Sequence, residues 1–127
     1  MQQKHLFEYA VIRVVPKVER EEFLNIGVIV YCAKQQFLQS RYMVDEIRLK
    51  AFSADLDITD LKEHLCSFER ICAGDKTSGP IGNLDMASRF RWLTATRSTI
   101  LQPSKVHPGM TPNALETLER LFEQLVN

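Results

Sequence analysis

The sequence has few of the residues and motifs that mark familiar functional classes. Its three cysteines, Cys32, Cys66 and Cys72, form no Cys-x-x-Cys pair and have no zinc-finger spacing with a histidine. It also contains no P-loop, no Gly-x-Gly-x-x-Gly and no His-Glu-x-x-His motif. We therefore predict no metal site and no cofactor.

A net charge and long apolar runs are also missing. Sixteen basic and sixteen acidic residues cancel, which argues against nucleic acid or an anionic membrane as a partner. No run approaches the roughly 18 apolar residues of a membrane span, and the N-terminus MQQKHLFEYAV lacks the apolar core of a signal peptide. We expect a cytoplasmic protein whose cysteines are free thiols.

The apolar residues that are present predict a single domain over residues 1–127, built around one central strand. A chain of 127 residues that is 45% hydrophobic suits one domain with one core. The most continuous apolar stretch, EEFLNIGVIVYC, spans residues 21–32. Alternation gives it a core face of Ile26, Val28, Val30 and Cys32, and a partly covered face of Asn25, Gly27, Ile29 and Tyr31.

Three further segments have the pattern of strands. Residues 6–15 and 37–44 alternate on either side of the central strand and predict an antiparallel meander. Residues 96–102 end at a proline and predict a fourth strand.

Helices are predicted from caps and periodicity. A long helix should begin after Asp57 and end at Gly74, and a final helix should follow an N-cap at Thr111. Shorter helices are expected over residues 47–52 and 86–93. The predicted fold is thus α+β, with an antiparallel sheet of about four strands and the two main helices packed on one face.

Charge is unevenly distributed although its total is zero. Between Met86 and Leu115 the chain has no acidic residue, while it has basic side chains at Arg89, Arg91, Arg97, Lys105 and His107. Such a segment suits recognition of phosphate or carboxylate by arginine. The alternative is a solvated basic face that pairs with acidic residues elsewhere.

Arginines interrupt three of the strand-like patterns, which predicts an anion-binding sheet face. In a meander Arg13 and Arg41 can flank the central strand on one face, and Arg97 can join them if the fourth strand pairs in the same sheet. The candidate ligand-binding residues are Arg13, Asn25, Gly27, Arg41, Arg97 and His107. Two alternatives remain open: scattered surface arginines, or arginines that organise the fold by pairing with Glu8, Glu22 or Asp45.

Catalytic patterns are weaker, and the sequence leaves open whether the protein is an enzyme. His107 could act as a base with Ser98, Ser104 or Tyr9, yet a histidine before Pro-Gly is more often a turn residue. A small nuclease or transferase that uses Glu22 and His107 is a further alternative without a supporting motif. We favour a binding role over catalysis.

Three segments together resemble a bacterial domain-of-unknown-function family of about this length. They are YAVIRVVP, REEFLNIGVIVYC and RFRWLTATRSTILQPSKVHPG, which match Y-x-x-x-R, E-F-x-N-x-G-V and R-S-x-I-x-x-S-x-x-H-x-G patterns. The family pattern falls on Tyr9, Arg13, Pro16, Glu22, Asn25, Gly27, Arg41, Arg97, His107 and Gly109. The resemblance implies genes next to kinases similar to the HipA toxin, and hence an accessory or protein-interaction subunit, with a partner protein or a second copy as its partner.

Overall fold

The computed structural model describes residues 3–97 and 99–126, which contain five strands and four helices. The strands are β1 (His5–Val14), β2 (Leu24–Cys32), β3 (Phe37–Tyr42), β4 (Leu101–Pro103) and β5 (His107–Thr111). The helices are α1 (Glu46–Phe52), α2 (Ile58–Ala73), α3 (Met86–Leu93) and α4 (Ala114–Leu125). The predicted α+β class is confirmed.

All strand pairs are antiparallel, in the order β3, β2, β1, with β4 and β5 both paired to the remaining edge of β1. The predicted meander of the first three strands is confirmed. Ser104 fills the interval between β4 and β5, because its N–H donates to Val11 O and its Oγ accepts from Val11 N, both at 2.8 Å. The edge of β1 is therefore hydrogen-bonded across the break.

The fourth and fifth strands differ from the prediction. Of the described residues in the range 96–102, only Leu101 and Gln102 belong to β4. Thr96, Arg97, Thr99 and Ile100 lie outside any strand, and Ser98 lies outside the described residues. β5 was missed because His107, Pro108 and Gly109 have the composition of a turn. Gly109 instead allows close packing, since a Cβ there would lie 2.6 Å from the Phe7 ring.

The two main helices lie on opposite faces of the sheet, not on one face as predicted. α2 packs with Ala10, Ile12 and Ile29 in one apolar cluster, whereas α4 packs with Val28 and Val30 in a second. The three consecutive residues Val28, Ile29 and Val30 are each 0% exposed. A strand with an uninterrupted apolar run is typically buried on both faces. The alternation of side chains assigned only one face of β2 to the core, and the burial of its other face was therefore not predicted.

A β-bulge in β2 changes which residues share a face. Ile12 pairs with Gly27 and Arg13 pairs with Asn25, so Ile26 is the extra residue. Ile26 belongs to the cluster under α2 and not, as predicted, with Val28. Asn25 consequently faces α4.

The helices begin at side-chain caps. Asp45, Asp57, Asp85 and Asn113 each accept a hydrogen bond from the backbone three residues ahead. The predicted cap at Asp57 and stop at Gly74 are confirmed. Thr111 is not the cap of α4, because its hydroxyl is bonded to the buried Thr117 hydroxyl at 2.6 Å. None of the helices in the described ranges is long and apolar enough to cross a membrane.

Candidate functional site

Four of the predicted ligand-binding residues lie on the face of the sheet that α4 covers: Arg13, Asn25 and Arg41, and also His107, whose cross-strand partner Tyr9 packs against the same apolar cluster as α4. Arg13 pairs with Asn25, and Arg41 pairs with Val28, which packs against α4. Paired residues of antiparallel strands project to the same side. The structure therefore places Arg13, Asn25 and Arg41 on one face.

Two of these residues are engaged with the C-terminal end of α4. Asn25 Nδ2 donates to Leu125 O at 3.2 Å, and the Arg41 guanidinium lies 4.7 Å from the centroid of the Phe122 ring. The last carbonyls of a helix carry the negative end of its dipole and lack partners within the helix. Asn25 and Arg41 thus help to hold α4 on the sheet.

Arg13 is the least engaged of the three. Its guanidinium lies 4.0 Å from the centroid of the Phe23 ring. Burial lowers its pKa from the ordinary arginine value. Arg13 Nε and Asn25 Oδ1 are both buried without a hydrogen-bond partner in the described part of the chain. Both atoms are closed to solvent, so a ligand at this point would reach only the outer nitrogens of Arg13.

Gly27 lies on the opposite face, away from the arginines. A Cβ at this position would lie 2.7 Å from both Arg41 O and Tyr42 Cβ. The glycine is therefore needed for the close approach of β2 and β3, which is a common reason for a glycine in the middle of a strand.

His107 lies in β5, where its ring centroid is 5.2 Å from that of Tyr9. Glu22 precedes β2 at the far end of β1 and forms an ion pair with Arg20, which holds its pKa below the usual range. Leu24, the first residue of β2, pairs with Val14, and His107 pairs with Tyr9. Val14 and Tyr9 are five positions apart in β1, which is about 16 Å along the strand. Glu22 and His107 do not form one catalytic constellation.

The other proposed partners of His107 are Tyr9, Ser98 and Ser104. Ser104 is bonded to the backbone of Val11, and Ser98 lies outside the described residues. Within residues 3–97 and 99–126, no group of three histidine, cysteine or acidic side chains is placed to hold a metal ion.

Arg97 lies on the other side of the sheet, at a cavity of about 210 Å³ between α2, α3 and β4. We call this the α2–α3 cavity. Its apolar walls are Ile12, Phe68, Ile71, Leu93, Leu101 and Pro103. Its polar or more exposed rim is His64, Ser67, Trp92, Arg97, Thr99 and Gln102. A mostly apolar hollow with a few polar groups at its mouth is the usual form of a small-molecule site.

The rim of the α2–α3 cavity is cationic. The Arg97 guanidinium lies 4.8 Å from the centroid of the Trp92 ring and donates from Nη2 to Trp92 O. Burial lowers the pKa of Arg97 from its ordinary value. None of the lining residues carries a carboxylate, and Asp60 lies 3.6 Å from His64 Nε2 outside the lining. The cavity thus presents one arginine whose charge no lining carboxylate neutralises.

The sequence pointed to Arg97 but not to its surroundings. Trp92 is close in sequence to the buried Phe90 and Leu93, yet it is 44% exposed at the cavity rim. Arg89, assigned to the cationic segment, is only 9% exposed and donates to backbone carbonyls. The helical period from Met86 to Leu93 could have indicated that Arg89 is buried, because it places Arg89 on the same face as the apolar Phe90 and Leu93.

These features define a small α+β domain with an antiparallel sheet between helices and a cavity with an arginine at its rim. The chain belongs to the DUF3037 family, described as a protein of unknown function, whose pattern matches residues 9–126. This agrees with the resemblance seen in the three sequence segments. No curated protein and no solved structure matches the chain.

Proposed function

We propose that the protein is a binding domain for a small organic anion, which it holds in the α2–α3 cavity with Arg97 facing the anionic group. The observation that carries this proposal is the combination of an apolar hollow of about 210 Å³ with an arginine that has no lining carboxylate beside it. The anion class, phosphate or carboxylate, is the one that the cationic segment predicted.

Arg97 is held in one orientation, which favours binding. Its guanidinium plane is fixed by the Trp92 ring and by the hydrogen bond to Trp92 O. A receptor group that is already ordered loses less entropy when it binds a ligand. Only one of arginine's five N–H donors is used in that bond, so others can bind the anion.

The apolar walls add the second requirement on the ligand. Phe68, Leu93 and Leu101 are at least nine-tenths buried around the cavity, and a charged group placed against them would lose its hydration. The ligand should therefore combine an apolar body with one anionic end. Inorganic anions alone should bind weakly.

The proposal is tested by titrating the protein with hexanoate, with hexanol as the neutral probe of similar length. Trp92 is the single tryptophan of the chain and lies at the cavity, so its fluorescence reports binding directly. We expect saturable binding of hexanoate and much weaker binding of hexanol. Arg97→Ala should weaken hexanoate binding by about tenfold or more, because a hydrogen bond to a charged group is lost.

Arg91→Ala is the matched control, since Arg91 is an exposed arginine of α3 that does not line the cavity. It removes the same charge and should leave the affinity unchanged. Circular dichroism establishes that both variants fold. The proposal is wrong if hexanol binds as tightly as hexanoate, or if Arg91→Ala weakens binding as much as Arg97→Ala.

A second candidate function, protein interaction, is favoured by an apolar pair at the edge of the sheet. Leu6 and Met110 are cross-strand partners in β1 and β5, and each is 57% exposed. Leu6 also lines an apolar hollow of about 180 Å³ with Phe7 and Tyr31. Exposed apolar side chains next to a hollow suit a contact with an apolar residue of a partner or of a second copy.

This second candidate is tested by the oligomeric state and by partner capture. Light scattering of the purified protein should detect a dimer that Leu6→Lys dissociates without loss of helical signal. If the protein is a monomer, co-expression with a kinase similar to the HipA toxin, the neighbour that the family resemblance implies, should give a complex that the same variant weakens. A monomer that forms no such complex would contradict this candidate and leave the anion-binding proposal standing.

A further inference from the structure

We infer that the ligand of the α2–α3 cavity is a monocarboxylate with a short apolar body, and not a phosphate ester. This inference rests on the proposed anion-binding function and narrows its ligand class. It depends on the charge, the helix ends and the donor geometry around the cavity.

The charge of the lining matches one negative charge. Arg97 supplies a single guanidinium, whereas a phosphate monoester carries a charge of about −1.5 to −2 near neutral pH. The only other basic group of the lining is His64, and Asp60 lies 3.6 Å from its Nε2. Any charge on that imidazole would face this carboxylate. A carboxylate is balanced by Arg97 alone.

The orientation of α3 disfavours a doubly charged ligand. Trp92 and Leu93 are the last two residues of this helix, so its C-terminal end lies at the cavity. That end of a helix carries about half a negative charge. Arg97 already donates to Trp92 O, so part of its field is directed at this end. A second negative charge on the ligand would have no cation left to face.

The available donors also suit a planar group. Arginine presents parallel N–H groups that match the two oxygens of a carboxylate. Phosphate sites commonly add backbone amides from a helix N-terminus. α2 lines the cavity from His64 to Ile71, so its first residue, Ile58, lies about 9 Å further along the helix axis. The amides of α2 are thus out of reach of the ligand.

The size of the cavity limits the apolar body. Sites for drug-sized ligands usually measure roughly 300–1,000 Å³, and this cavity measures about 210 Å³. A ligand with on the order of ten non-hydrogen atoms or fewer is therefore expected. Short aliphatic acids, or acids with a single ring, meet this limit.

The test compares hexanoate with pentyl phosphate by Trp92 fluorescence and by calorimetry, on the full chain. The two probes have similar apolar bodies and differ in the anionic group. We expect hexanoate to bind at least about tenfold more tightly. Arg97→Lys keeps the charge but lacks the parallel donors, so it should weaken hexanoate binding severalfold while pentyl phosphate changes less.

The outcomes separate this inference from the function on which it rests. If pentyl phosphate binds as tightly as hexanoate, or more tightly, and Arg97→Ala weakens both, the ligand class is wrong and anion binding stands. If neither probe binds, or if both bind equally well to Arg97→Ala, the proposed function and the inference are both overturned. Weaker binding of acetate than of hexanoate would support the requirement for an apolar body, and equal binding would contradict it.

Discussion

The guanidinium of Arg89 lies against the backbone of Gly74, where a Cβ would come within 2.9 Å of Arg89 Nη1. Gly74 ends α2 with a positive φ of 74°, a conformation that glycine adopts without strain. Arg89 Nη1 donates to Cys72 O at 2.8 Å and to Ile71 O at 3.1 Å. The small residue therefore lets an arginine of α3 bond the last carbonyls of α2.

Arg89→Leu should destabilise the fold by roughly 2–4 kcal/mol, because buried carbonyls at the end of α2 would lose their partner. Urea unfolding followed by circular dichroism measures this loss. Arg91→Leu, on the exposed side of the same helix, should change the stability by no more than about 0.5 kcal/mol. Equal effects of the two substitutions would contradict the role assigned to Arg89.

Gly27→Ala should cost at least about 2 kcal/mol, because the new Cβ would overlap backbone atoms of β3 that have no room to move. Gly109→Ala is the comparison, since its Cβ would meet the outer atoms of the Phe7 ring at 2.6 Å, and a ring can turn. In thermal unfolding, the midpoint temperature of Gly27→Ala should be lower than that of Gly109→Ala. The reverse order would show that the approach of β2 to β3 is not the tighter contact.

Asn25→Ala should loosen the C-terminal end of α4 by roughly 0.5–1.5 kcal/mol, through the loss of the hydrogen bond to Leu125 O. Amide hydrogen exchange should accelerate in the last turn of α4. Gln39→Ala, an exposed substitution on the same face of the sheet, should have no such effect. Unchanged exchange in the last turn of α4 in Asn25→Ala would contradict the role assigned to this hydrogen bond.

Acid should weaken the turn that follows α2 through Asp75. Hydrogen bonds from Thr77, followed by the Arg70 guanidinium, hold the pKa of Asp75 below its ordinary value. The unfolded chain therefore binds a proton at a higher pH than the folded chain does. The stabilisation is complete above about pH 4 and is lost as the pH falls further.

Asp75→Asn should accordingly flatten the dependence of stability on pH in the acid range, measured by urea unfolding at a series of pH values. Thr77→Ala should raise the pKa of Asp75 in an NMR titration, because it removes the hydrogen bond from the Thr77 hydroxyl and leaves, of the two from this residue, only the one from the backbone N–H. Identical acid profiles for Asp75→Asn and the unaltered protein would exclude the effect.

The elements were largely predictable from local pattern, but the surroundings of the arginines were not. The ends of α2 at Asp57 and Gly74 were predicted correctly, because capping interactions involve residues within one helical turn. Whether Arg97 would join Arg13 depended on pairing between distant segments, which no local signal records. Arg13 faces α4 because it alternates in β1 with Ile12 and Val14, which pack in the same cluster as α2. Arg97 instead lies at the α2–α3 cavity.

Local sequence pattern also does not show what Arg41 contacts. An arginine that interrupts an apolar pattern indicates either a ligand or a packing role, and the choice requires the neighbouring element. Here that element is α4, whose Phe122 follows Arg41 by 81 positions in the chain and lies under the guanidinium. The three arginines Arg13, Arg41 and Arg97 each lie over an aromatic ring, and none forms an ion pair with a carboxylate among the described residues.

The bulge in β2 places the extra residue, Ile26, next to Gly27, and Ile26 fills space that the glycine leaves open. Because Gly27 can carry no side chain, the cluster beneath it would lack an apolar group at that point, and the extra Ile26 supplies one. Deleting Ile26 would leave every other residue of β2 on its present face, yet it would open a void under the glycine. A homologue that lacks this insertion should therefore carry a larger residue elsewhere in the same layer.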